Sequence, residues 1–535
     1  MRSANGRDGV VSSAHPLASR AGLTVLKKGG NAVDAAIAVS LTLGVVAPAW
    51  SGLGGGGFGL IHLSRSDETV ALDYREVAPR AAWSGMFELD ETGKVRNDSN
   101  AIGPLAIAVP GEASGIATML EKYGTMRLAD ICRFARDQAA KGAPTSPTMD
   151  FIMRENRDNC LEKFRRYEAT GKVFLREGKH LRTGQRFIIP NLSQTLDAVA
   201  RDGLQSFYEG QLGERIITYL KKSGAILTQE DLAEYSPRIR TPVTGTYRGF
   251  EVRGMPPPSS AGLTIVETLN ILEGFDLCKM KHRSAQAIHT IAEALKLGYA
   301  DREAYVADPD FVTVPVSKLS SKEYADRRRS TMGPKRSSFD PKPDPGPSHE
   351  GTSTTHLSVI DKEGNVIALT ESIECLFGSG VLLPELGLLM NDQMHDFDPL
   401  PGRLNSVEPK KRPLSSMAPT IVFKDGQPWL ALGSAGGPRI ISSVLQVILN
   451  MVDFGMTLQQ AVAAPRVHCQ RDKIRVETEI PGPISNALRG LGHDVETTRT
   501  RDLFFGGIHA VSLDLASKTY HGTADPRRDG VALAF

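Results

Sequence analysis

Residues 353–370 read STTHLSVIDKEGNVIALT and mark the point where the character of the chain changes. Alternating apolar residues predict one strand from His356 to Asp361, a turn at KEGN, and a second strand from Val366 to Thr370. The run before it, Gly333 to Ser353, holds five prolines and three glycines, which support neither a helix nor a sheet ladder. The hydroxyl residue Thr354 therefore lies where a flexible linker meets the first strand of a sheet. A self-cleaving protein would expose a new amino terminus with its own nucleophile at such a place.

The composition is that of a soluble globular protein and excludes several functional classes. The 535 residues fit two domains or one large layered domain, with 41% hydrophobic and 23% charged residues. The formal net charge of +2 gives no basic field for nucleic acid or an anionic membrane, so neither is expected as a partner. Five scattered cysteines without a C-x-x-C pair argue against a disulfide framework and a structural zinc site. We expect no cofactor and no metal.

The amino-terminal region shows no targeting segment. The first thirty residues have no apolar core of a secretory signal. The longest apolar run, Ala35 to Ala49, contains Pro48 and is too short to span a bilayer, so it is interpreted as a buried helix. A cytoplasmic location is expected, or a periplasmic or secreted one if an upstream leader has been removed.

Two helices and a glycine-rich turn are predicted near the amino terminus. A helix over Pro16 to Lys28 should stop at the following glycine pair, and Asn31 should cap a helix over Ala32 to Val46. GLGGGG at 52–57 fits G-x-G-x-x-G, but a helix precedes it and a strand, Phe58 to Ser64, follows. A dinucleotide site needs the opposite order, so NAD or FAD binding is rejected.

A hairpin should follow the glycine-rich turn and present an arginine at its end. Its strands are Phe58–Leu63 and Thr69–Tyr74, after which comes Arg75. The guanidinium fork of Arg75 suits a bidentate carboxylate clamp. The segment alone leaves open a simple surface salt bridge with Glu76. From Ala113 to the neighbourhood of Asp310 the chain is expected to be mostly helical, with strands within Thr241 to Gly254.

A second glycine-rich turn lies in the carboxy-terminal third. Strands are predicted at Thr420–Phe423 and Trp429–Leu432, then GSAGG at 433–437, then a helix from Ile440 to Met451. Free amides at a helix start favour negative charge, and the absence of a Lys-Ser/Thr ending favours an oxyanion over a nucleotide phosphate. A purely structural turn remains the alternative for this segment taken alone.

Taken in order, these motifs resemble those of the γ-glutamyltranspeptidase family of N-terminal-nucleophile hydrolases. The resemblance runs from about Gly9 to Gly530 and is carried by these blocks: Gly54-Gly55-Gly56-Gly57-Phe58, Asp73-Tyr74-Arg75-Glu76, Tyr299-Ala300-Asp301-Arg302, Thr354-Thr355-His356, Phe377-Gly378-Ser379-Gly380, Asn391-Asp392-Gln393-Met394-His395-Asp396-Phe397, Arg412-Pro413-Leu414-Ser415-Ser416-Met417 and Gly433-Ser434-Ala435-Gly436-Gly437. One block would be weak, but the ordered set is specific.

The resemblance implies a fold and a maturation step. The fold would be a four-layer αββα arrangement of the α+β class. The chain would be a proenzyme that cuts itself between Ser353 and Thr354, giving a heterodimer of a large subunit, 1–353, and a small catalytic subunit, 354–535. Cleavage would create the base, because a free α-amino group with a pKa of about 7.7–8.0 can take the hydroxyl proton of Thr354, whereas an amide cannot.

The resemblance also implies a set of site residues. Thr354 would be the nucleophile, Ser372 would orient it, and Gly436 and Gly437 would form the oxyanion hole. Those expected to hold the substrate's α-carboxylate are Arg75, Ser415 and Ser416, and those expected to hold its α-ammonium are Glu374, Gln393 and Asp396. In isolation Asp396 could equally be a turn cap and the two serines loop hydroxyls. His395 and His468 could hint at a metal, but no ligand spacing supports one.

Two departures from the family pattern bear on function. Glu374 stands where many members carry Asn, and its charge could alter substrate preference. The segment from Asp398 to Pro409 is shorter than the family's lid loop, so water should reach an acyl-enzyme easily. The implied activity is hydrolysis or transfer of γ-glutamyl groups from glutathione-like amides, with hydrolysis favoured.

Two alternatives stay open. One is a relative retuned to another acyl amide, of the glutaryl-cephalosporin acylase or oxamate amidohydrolase type, although the retained Asp396 argues against it because those acyl groups lack an ammonium. The other is an unprocessed homologue without catalytic activity.

Overall fold

Two stacked β-sheets form the centre of the molecule. A computed structural model describes residues 2–336 and 353–535, so most of the predicted linker 333–353 lies outside the described residues. Each sheet has seven strands. The first, which we name the nucleophile sheet, has the order Val531–Ala534, Gly9–Ser13, Thr355–Asp361, Val366–Ser372, Gly56–Leu63, Glu68–Tyr74 and Arg238–Arg240. The second, the oxyanion sheet, has the order Ser3–Gly6, Thr519–Ala524, Gly507–Asp514, Gln427–Ala435, Thr420–Lys424, Phe250–Gly254 and Val243–Tyr247.

Helices cover the outer face of each sheet. Those on the side of the nucleophile sheet, with the helices packed around them, are Pro16–Lys27, Ala32–Val46, Glu112–Tyr123, Leu128–Lys141, Leu192–Asp202 and Gln211–Ser223. Those on the side of the oxyanion sheet are Ala261–Leu272, Ala285–Tyr305, Lys322–Arg329, Arg439–Val452 and Leu458–Ala463. The layer order is therefore helix, sheet, sheet, helix, and the expected four-layer αββα fold is confirmed.

Shorter elements fill the periphery. The remaining helices are Pro147–Arg154, Cys160–Arg166, Glu168–Phe174, Ser206–Glu209, Gln229–Ala233, Leu277–Met280, Val316–Leu319 and Gly482–Gly490. Single 3-10 turns are Arg96–Asp98, Pro104–Ala106, Arg157–Asn159, Gln393–Asp396 and Leu503–Phe505. The small strands are Ala143–Pro144, Leu175–Arg176, Lys179–His180, Arg186–Phe187, Leu382–Leu383, Leu388–Leu389, Val467–His468, Lys473–Val476 and Asp494–Thr497.

The strand Thr355–Asp361 is buried on both faces, which explains its unusual composition. Leu357 and Val359 belong to the core under the outer helices, whereas Ile360 belongs to the core shared with the oxyanion sheet. On that inner face His356 bonds the Ser358 hydroxyl, which donates to the carbonyl of His509 across the sandwich. Burial removes water from these polar groups, so their pairing with one another keeps the cost of burial small.

The first two helices form as their sequences predict and fix the position of this strand. Asn31 caps Ala32–Val46 by accepting from the amides of Val33 and Asp34, and the Asp34 carboxylate accepts from the backbone amide of Asn31. The free amide of Ala32 then donates to the Asp361 carboxylate at 2.8 Å. The buried start of this helix is thus held against the carboxyl end of the strand Thr355–Asp361.

One predicted boundary is wrong. The strand expected to end at Leu432 continues to Ala435, because residues 433–435 pair in register with Gly507, Ile508 and His509 of the neighbouring strand. A glycine is needed at position 433 of this strand because the His356 ring packs against it. A Cβ there would come within 2.4 Å of the ring. The glycine-rich turn is therefore confined to Gly436 and Gly437.

In the described ranges, 2–336 and 353–535, no helix combines the length and apolar character that crossing a membrane would require.

Candidate active site

Thr354 directly precedes the strand Thr355–Asp361 and lies between the two sheets. Its side chain is 4% exposed, and its Oγ1 lies 3.3 Å from the hydroxyl of Ser372 on the adjacent strand. Ser372 in turn accepts the amide of Glu374 at 2.9 Å, which orients its hydroxyl. Arg528 donates to the carbonyl of Thr354 at 2.9 Å. The hydroxyl of Thr354 is thus held by a neighbouring hydroxyl and its carbonyl by a cation.

The backbone at the predicted cleavage point is strained. Thr354 has φ of +111°, a region that a β-branched residue seldom adopts. Ser353 is fully buried, and its hydroxyl donates to the carbonyl of Ala49 at 3.0 Å. The strain is held in place by the packing on both sides of the Ser353–Thr354 bond.

Gly436 and Gly437 form the turn between the strand Gln427–Ala435 and the helix Arg439–Val452. Their φ values are +125° and +57°, which glycine adopts at low cost. A Cβ on Gly436 would also lie 3.0 Å from the Cα of Gly506. The turn is followed at once by the helix start, where peptide amides and the helix dipole favour a negative charge.

Arg75 is buried, and the proposal of a surface salt bridge with Glu76 is wrong. Its side chain is 1% exposed, and Nη2 forms an ion pair with Asp396. Nε and Nη2 also donate to the carbonyls of Pro413 and Leu414, at 3.3 and 3.1 Å. Glu76 lies 3.8 Å from Nη1 and is itself fully buried, because the hairpin delivers both residues into the interior.

Gln393 and Asp396 share one 3-10 turn and face Glu374. The Gln393 amide donates to Asp396 at 2.6 Å and to Glu374 at 3.3 Å. Gln393 Oε1 and Asp396 Oδ1 are buried acceptors without a hydrogen-bond partner among the described residues. Unsatisfied buried acceptors are costly, and two of them side by side suit an incoming ammonium group.

The pKa values of the two carboxyl groups in this cluster, Glu374 and Asp396, shift in opposite directions. Burial, followed by the charge of Glu374, raises the pKa of Asp396 well above its ordinary value. Burial acts in the same direction on Glu374. There, however, hydrogen bonds involving His395 and Asp396 outweigh it and lower the pKa of Glu374 to about 2. The charge of Arg75 opposes the rise for Asp396, and the two pKa shifts favour ionisation of Glu374 before that of Asp396.

Ser415 and Ser416 lie next to this cluster and are held by a residue that sequence reasoning gave no role. Arg302, on the buried face of helix Ala285–Tyr305, donates to the hydroxyl of Ser416 at 3.1 Å and to that of Ser260 at 2.7 Å. Ser260 then bonds the Ser415 carbonyl through both its amide and its hydroxyl. The block Tyr-Ala-Asp-Arg, in which Arg302 ends the resemblance motif, was the available signal.

Asn391 and Arg528 are further residues that the sequence did not single out. Asn391 donates to the carbonyls of Gly54 and Ala108 and accepts the amides of Ala108 and Gln393, so it joins the first glycine-rich turn to the Gln393 turn. A Cβ on Gly54 would fall 2.2 Å from the Leu389 carbonyl oxygen, which explains the glycine. The long sequence separations conceal these contacts.

The two histidines considered as metal ligands, His395 and His468, contact different groups. His468 bonds the hydroxyl of Ser442 at 2.9 Å, whereas His395 lies 3.7 Å from Cys375 Sγ and 3.9 Å from Glu374. Within the described residues, the three groups at His395 are one of two clusters compact enough to hold an ion, the other being His289, Glu293 and His493.

Comparison with known proteins identifies the family. The family model for gamma-glutamyltranspeptidase matches residues 18–535. The chain belongs to the gamma-glutamyltranspeptidase family. As a member of this family, which includes γ-glutamyltransferases and glutathione hydrolases, it has the N-terminal-nucleophile hydrolase fold that the layer order indicates.

Individual relatives fall into two functional groups. A glutathione hydrolase proenzyme of Bacillus subtilis (strain 168) is 38% identical, over 99% of this chain and 92% of that protein. The acylase ACY 1 proenzyme of Pseudomonas sp. (strain SE83) is also 38% identical, over 99% of this chain and 94% of that protein. Among solved structures, cephalosporin acylase from Bacillus halodurans superposes with a TM-score of 0.89 at 29% identity, covering 100% of this chain and 97% of that one. Overall similarity in sequence and fold therefore does not distinguish glutathione hydrolases from acylases. The side chains of the site have to make that distinction.

Proposed function

We propose that this family member is a γ-glutamyl hydrolase that acts on glutathione-like amides through Thr354. The observation that carries the proposal is the pair of unpartnered buried acceptors, Gln393 Oε1 and Asp396 Oδ1, close to Arg75. An acyl group with an ammonium and a carboxylate on the same carbon satisfies both kinds of group at once. A γ-glutamyl group has this pattern, whereas a glutaryl group lacks the ammonium.

Binding would rearrange the charges of this pocket. The substrate ammonium offers donors to Gln393 and Asp396, and its charge favours the ionised form of Asp396. The substrate carboxylate takes the guanidinium of Arg75 together with the hydroxyls of Ser415 and Ser416. Each hydrogen bond to a charged group contributes about 1.5–3 kcal/mol, so both ends of the acyl group are needed for tight binding.

The chemical step would use Thr354 as nucleophile and base together. Its free α-amino group takes the proton of Oγ1 as that oxygen attacks the γ-carbonyl carbon. The carbonyl oxygen becomes an oxyanion that the Gly436–Gly437 turn stabilises. Collapse breaks the C–N bond, the proton passes to the leaving amine, and a γ-glutamyl ester of Thr354 remains. Water then adds to the ester carbonyl, and glutamate leaves with regeneration of the hydroxyl.

The proenzyme step is part of the same proposal. Cleavage of the Ser353–Thr354 bond would give the subunits 1–353 and 354–535 and would free the α-amino group. The strained φ of Thr354 supports this position for the cut, because breaking the bond releases the strain. Before the cut the nitrogen is an amide and cannot act as a base, so the precursor should be inactive.

The first prediction tests this proposal with Thr354→Ala. Purified wild-type protein should give two bands on a denaturing gel and hydrolyse γ-glutamyl p-nitroanilide, and the variant should give one band and no turnover. Thr354→Ser keeps a hydroxyl and is the matched control, which should still be cut. A single uncut wild-type band without turnover would instead indicate the homologue that lacks catalytic activity.

An acylase function is the second candidate, because acylases are among the similar proteins. Arg75 does not discriminate, since glutaryl amides and oxamate also carry a carboxylate. Asp396 does, since it has a role only with an acyl group that carries a positive charge.

Hydrolysis rather than transfer is the finer part of the proposal. The short segment 398–409 folds onto itself, with Asp398 accepting the amide of Leu400 and Ser406 donating to the Leu400 carbonyl. A compact turn of this kind leaves water access to the ester of Thr354, and water outnumbers any acceptor.

A further inference from the structure

Three metal-ligating side chains meet beside the residues proposed to hold the substrate ammonium. They are Glu374, Cys375 and His395. His395 Nδ1 lies 3.7 Å from Cys375 Sγ and 3.9 Å from Glu374 Oε1, so one ring nitrogen faces both other groups. The proposed reaction uses only Glu374, and the thiol and the imidazole beside it call for a separate explanation.

The backbone at Glu374 brings two adjacent side chains to the same place. In an extended strand, neighbouring side chains point to opposite faces. The strand Val366–Ser372 ends shortly before Glu374, whose φ of +79° lies in a region that residues other than glycine seldom adopt. The chain turns there, and the side chains of Glu374 and Cys375 both approach His395. A backbone of this kind persists only when the surrounding structure holds it, and it occurs preferentially at binding sites.

The spacing of the three groups is close to that of a tetrahedral zinc site. Zinc bonds of about 2.0–2.3 Å place two donor atoms of one tetrahedron roughly 3.3–3.6 Å apart. The separations of 3.7 and 3.9 Å therefore require only a small inward movement of the side chains. A thiolate, an imidazole and a carboxylate are also the donors that zinc takes in proteins, whereas Mg²⁺ and Ca²⁺ prefer oxygen alone. Three protein ligands leave the fourth position of the ion to water.

The surroundings of the three groups admit a cation. The side chain of His395 is 18% exposed, which gives an ion a path from solvent. Two buried cations lie near the cluster, and each faces a carboxylate of its own. Arg75 pairs with Asp396, and Lys163 Nζ lies 3.6 Å from Asp392. Their charges are thus balanced locally and do not exclude a further positive ion.

The other compact cluster among the described residues is less suited to an ion. There Lys296 forms an ion pair with Glu293 at 2.7 Å, which already balances that carboxylate. His289 and His493 bond each other at 2.8 Å through their ring nitrogens. An ion at that place would have to break both contacts, whereas the cluster at His395 needs only a small contraction.

We propose that Glu374, Cys375 and His395 form a binding site for Zn²⁺ and that the bound ion excludes the substrate ammonium. The zinc site stands by itself, but the competition rests on the proposed function, which assigns Glu374, Gln393 and Asp396 to that ammonium. Bonds form from the ion to Sγ, Nδ1 and a Glu374 oxygen, and the thiol proton passes to the buffer. The Glu374 carboxylate then serves the metal, and the ion repels an ammonium placed beside Gln393, which lies 3.3 Å from that carboxylate.

A zinc site departs from the absence of a metal that the sequence led us to expect. His395 follows Cys375 by 20 residues and meets it only after folding, so no ligand spacing marks the site along the chain.

Direct binding is measured by isothermal titration calorimetry of Zn²⁺ into protein first freed of metal with EDTA. Wild-type protein should bind one ion at this site, and Cys375→Ser and His395→Gln should each weaken binding at least about tenfold. With Co²⁺ as the probe, wild-type protein should show a thiolate-to-metal charge-transfer band that Cys375→Ser lacks. Cys278→Ser is the matched control, because Cys278 is exposed and lies on a separate helix, Leu277–Met280. It should bind Zn²⁺ as the wild type does.

Enzyme kinetics test the competition. The substrate is γ-glutamyl p-nitroanilide, because it lacks the thiol by which glutathione itself binds metals. Zn²⁺ should raise KM for processed wild-type enzyme and leave kcat unchanged. In Cys375→Ser, the concentration of Zn²⁺ that doubles KM should rise at least about tenfold. Its kcat/KM without metal should stay near the wild-type value, because serine is similar in size to cysteine, and Mg²⁺ should have no effect on either protein.

The outcomes separate the zinc site from the function beneath it. Equal zinc affinity in wild type, Cys375→Ser and His395→Gln would overturn the site, because any binding would then be adventitious. Zinc that lowers kcat without raising KM would overturn the competition with the ammonium. If no γ-glutamyl amide is turned over, the proposed function fails, and calorimetry with the two variants still decides the zinc site.

Discussion

At the scale of single residues, the buried ionisable groups and their pairing determine the electrostatics of the site. Arg75 forms an ion pair with Asp396, and the pKa of Glu374 is lowered while that of Asp396 is raised. In the proposed function, a substrate that carries both signs would exchange its own charges for this internal pair. Substitutions at these residues should change which acyl groups are accepted more than whether the protein folds.

The variant Asp396→Asn tests the ammonium assignment. Removing the carboxylate should lower kcat/KM for γ-glutamyl p-nitroanilide by about one to two orders of magnitude, because a charged hydrogen bond of roughly 1.5–3 kcal/mol is lost. Any activity on glutaryl p-nitroanilide should be spared. Asp425→Asn, in an exposed turn, is the control. Unchanged γ-glutamyl kinetics in Asp396→Asn would refute the assignment.

The variant Glu374→Gln tests the shared charge through pH. Asp396 must be ionised to bind the ammonium, and the neighbouring charge of Glu374 raises its pKa. Removing that charge lowers the pKa of Asp396, so the acidic limb of kcat/KM against pH should move to lower pH. Exposed Glu363→Gln should leave the limb in place. If the acidic limb moved to higher pH or did not move in Glu374→Gln, the charge of Glu374 would not be what raises the pKa of Asp396.

At the scale of elements, the ends of strands determine the site. The proposed nucleophile Thr354 directly precedes the strand Thr355–Asp361, the proposed oxyanion turn follows Gln427–Ala435, and Arg75 follows Glu68–Tyr74. Rigid, paired strands hold these groups more precisely than loops would. The segment 398–409 is the contrasting element, a compact turn where other members of the family are expected to have a lid.

Product partition tests what that short segment does. With γ-glutamyl p-nitroanilide and glycylglycine as acceptor, processed enzyme should release mainly glutamate rather than γ-glutamyl-glycylglycine. The reason is that the short segment 398–409 is expected to cover the ester less than a longer lid loop would. Chromatography of both products gives the ratio, and a majority of transfer product would contradict the prediction.

At the scale of the whole molecule, the two predicted subunits are interleaved. In the nucleophile sheet, Gly9–Ser13 from the large subunit lies between Val531–Ala534 and Thr355–Asp361 from the small one. On the other side, Gly56–Leu63 pairs with Val366–Ser372. Separation would break several ladders and expose both cores, so a cut at Ser353 should leave the fold intact.

Size-exclusion chromatography under native conditions tests this interleaving. Processed wild-type protein should elute as one species at the volume of uncut Thr354→Ala, although only the former gives two bands on a denaturing gel. Elution of the two pieces at separate volumes would show that the ladders between Gly9–Ser13 and its neighbours do not hold the subunits together.

The sequence alone was sufficient for several elements, because their signals are local. The helices after Pro16 and Asn31, the hairpin before Arg75 and the strands on both sides of KEGN all follow from caps, glycines and periodicity. The ordered motifs also determined the family. The failures have long-range causes: Gly433 belongs to a strand because it pairs with His509, far along the chain.

Only the tertiary structure could decide the state of the site at Thr354. Arg302 acquires a role when a helix from the middle of the chain packs beneath Ser416, and Arg528 when the end of the chain returns to the nucleophile. Both sheets exclude water from Arg75, Glu374 and Asp396. The burial of Arg75 and the opposite pKa shifts of the two carboxyl groups depend on this exclusion. Local sequence patterns specify hydrogen bonds a few residues apart. Desolvation and charge pairing depend on distances that exist only after the layers have packed.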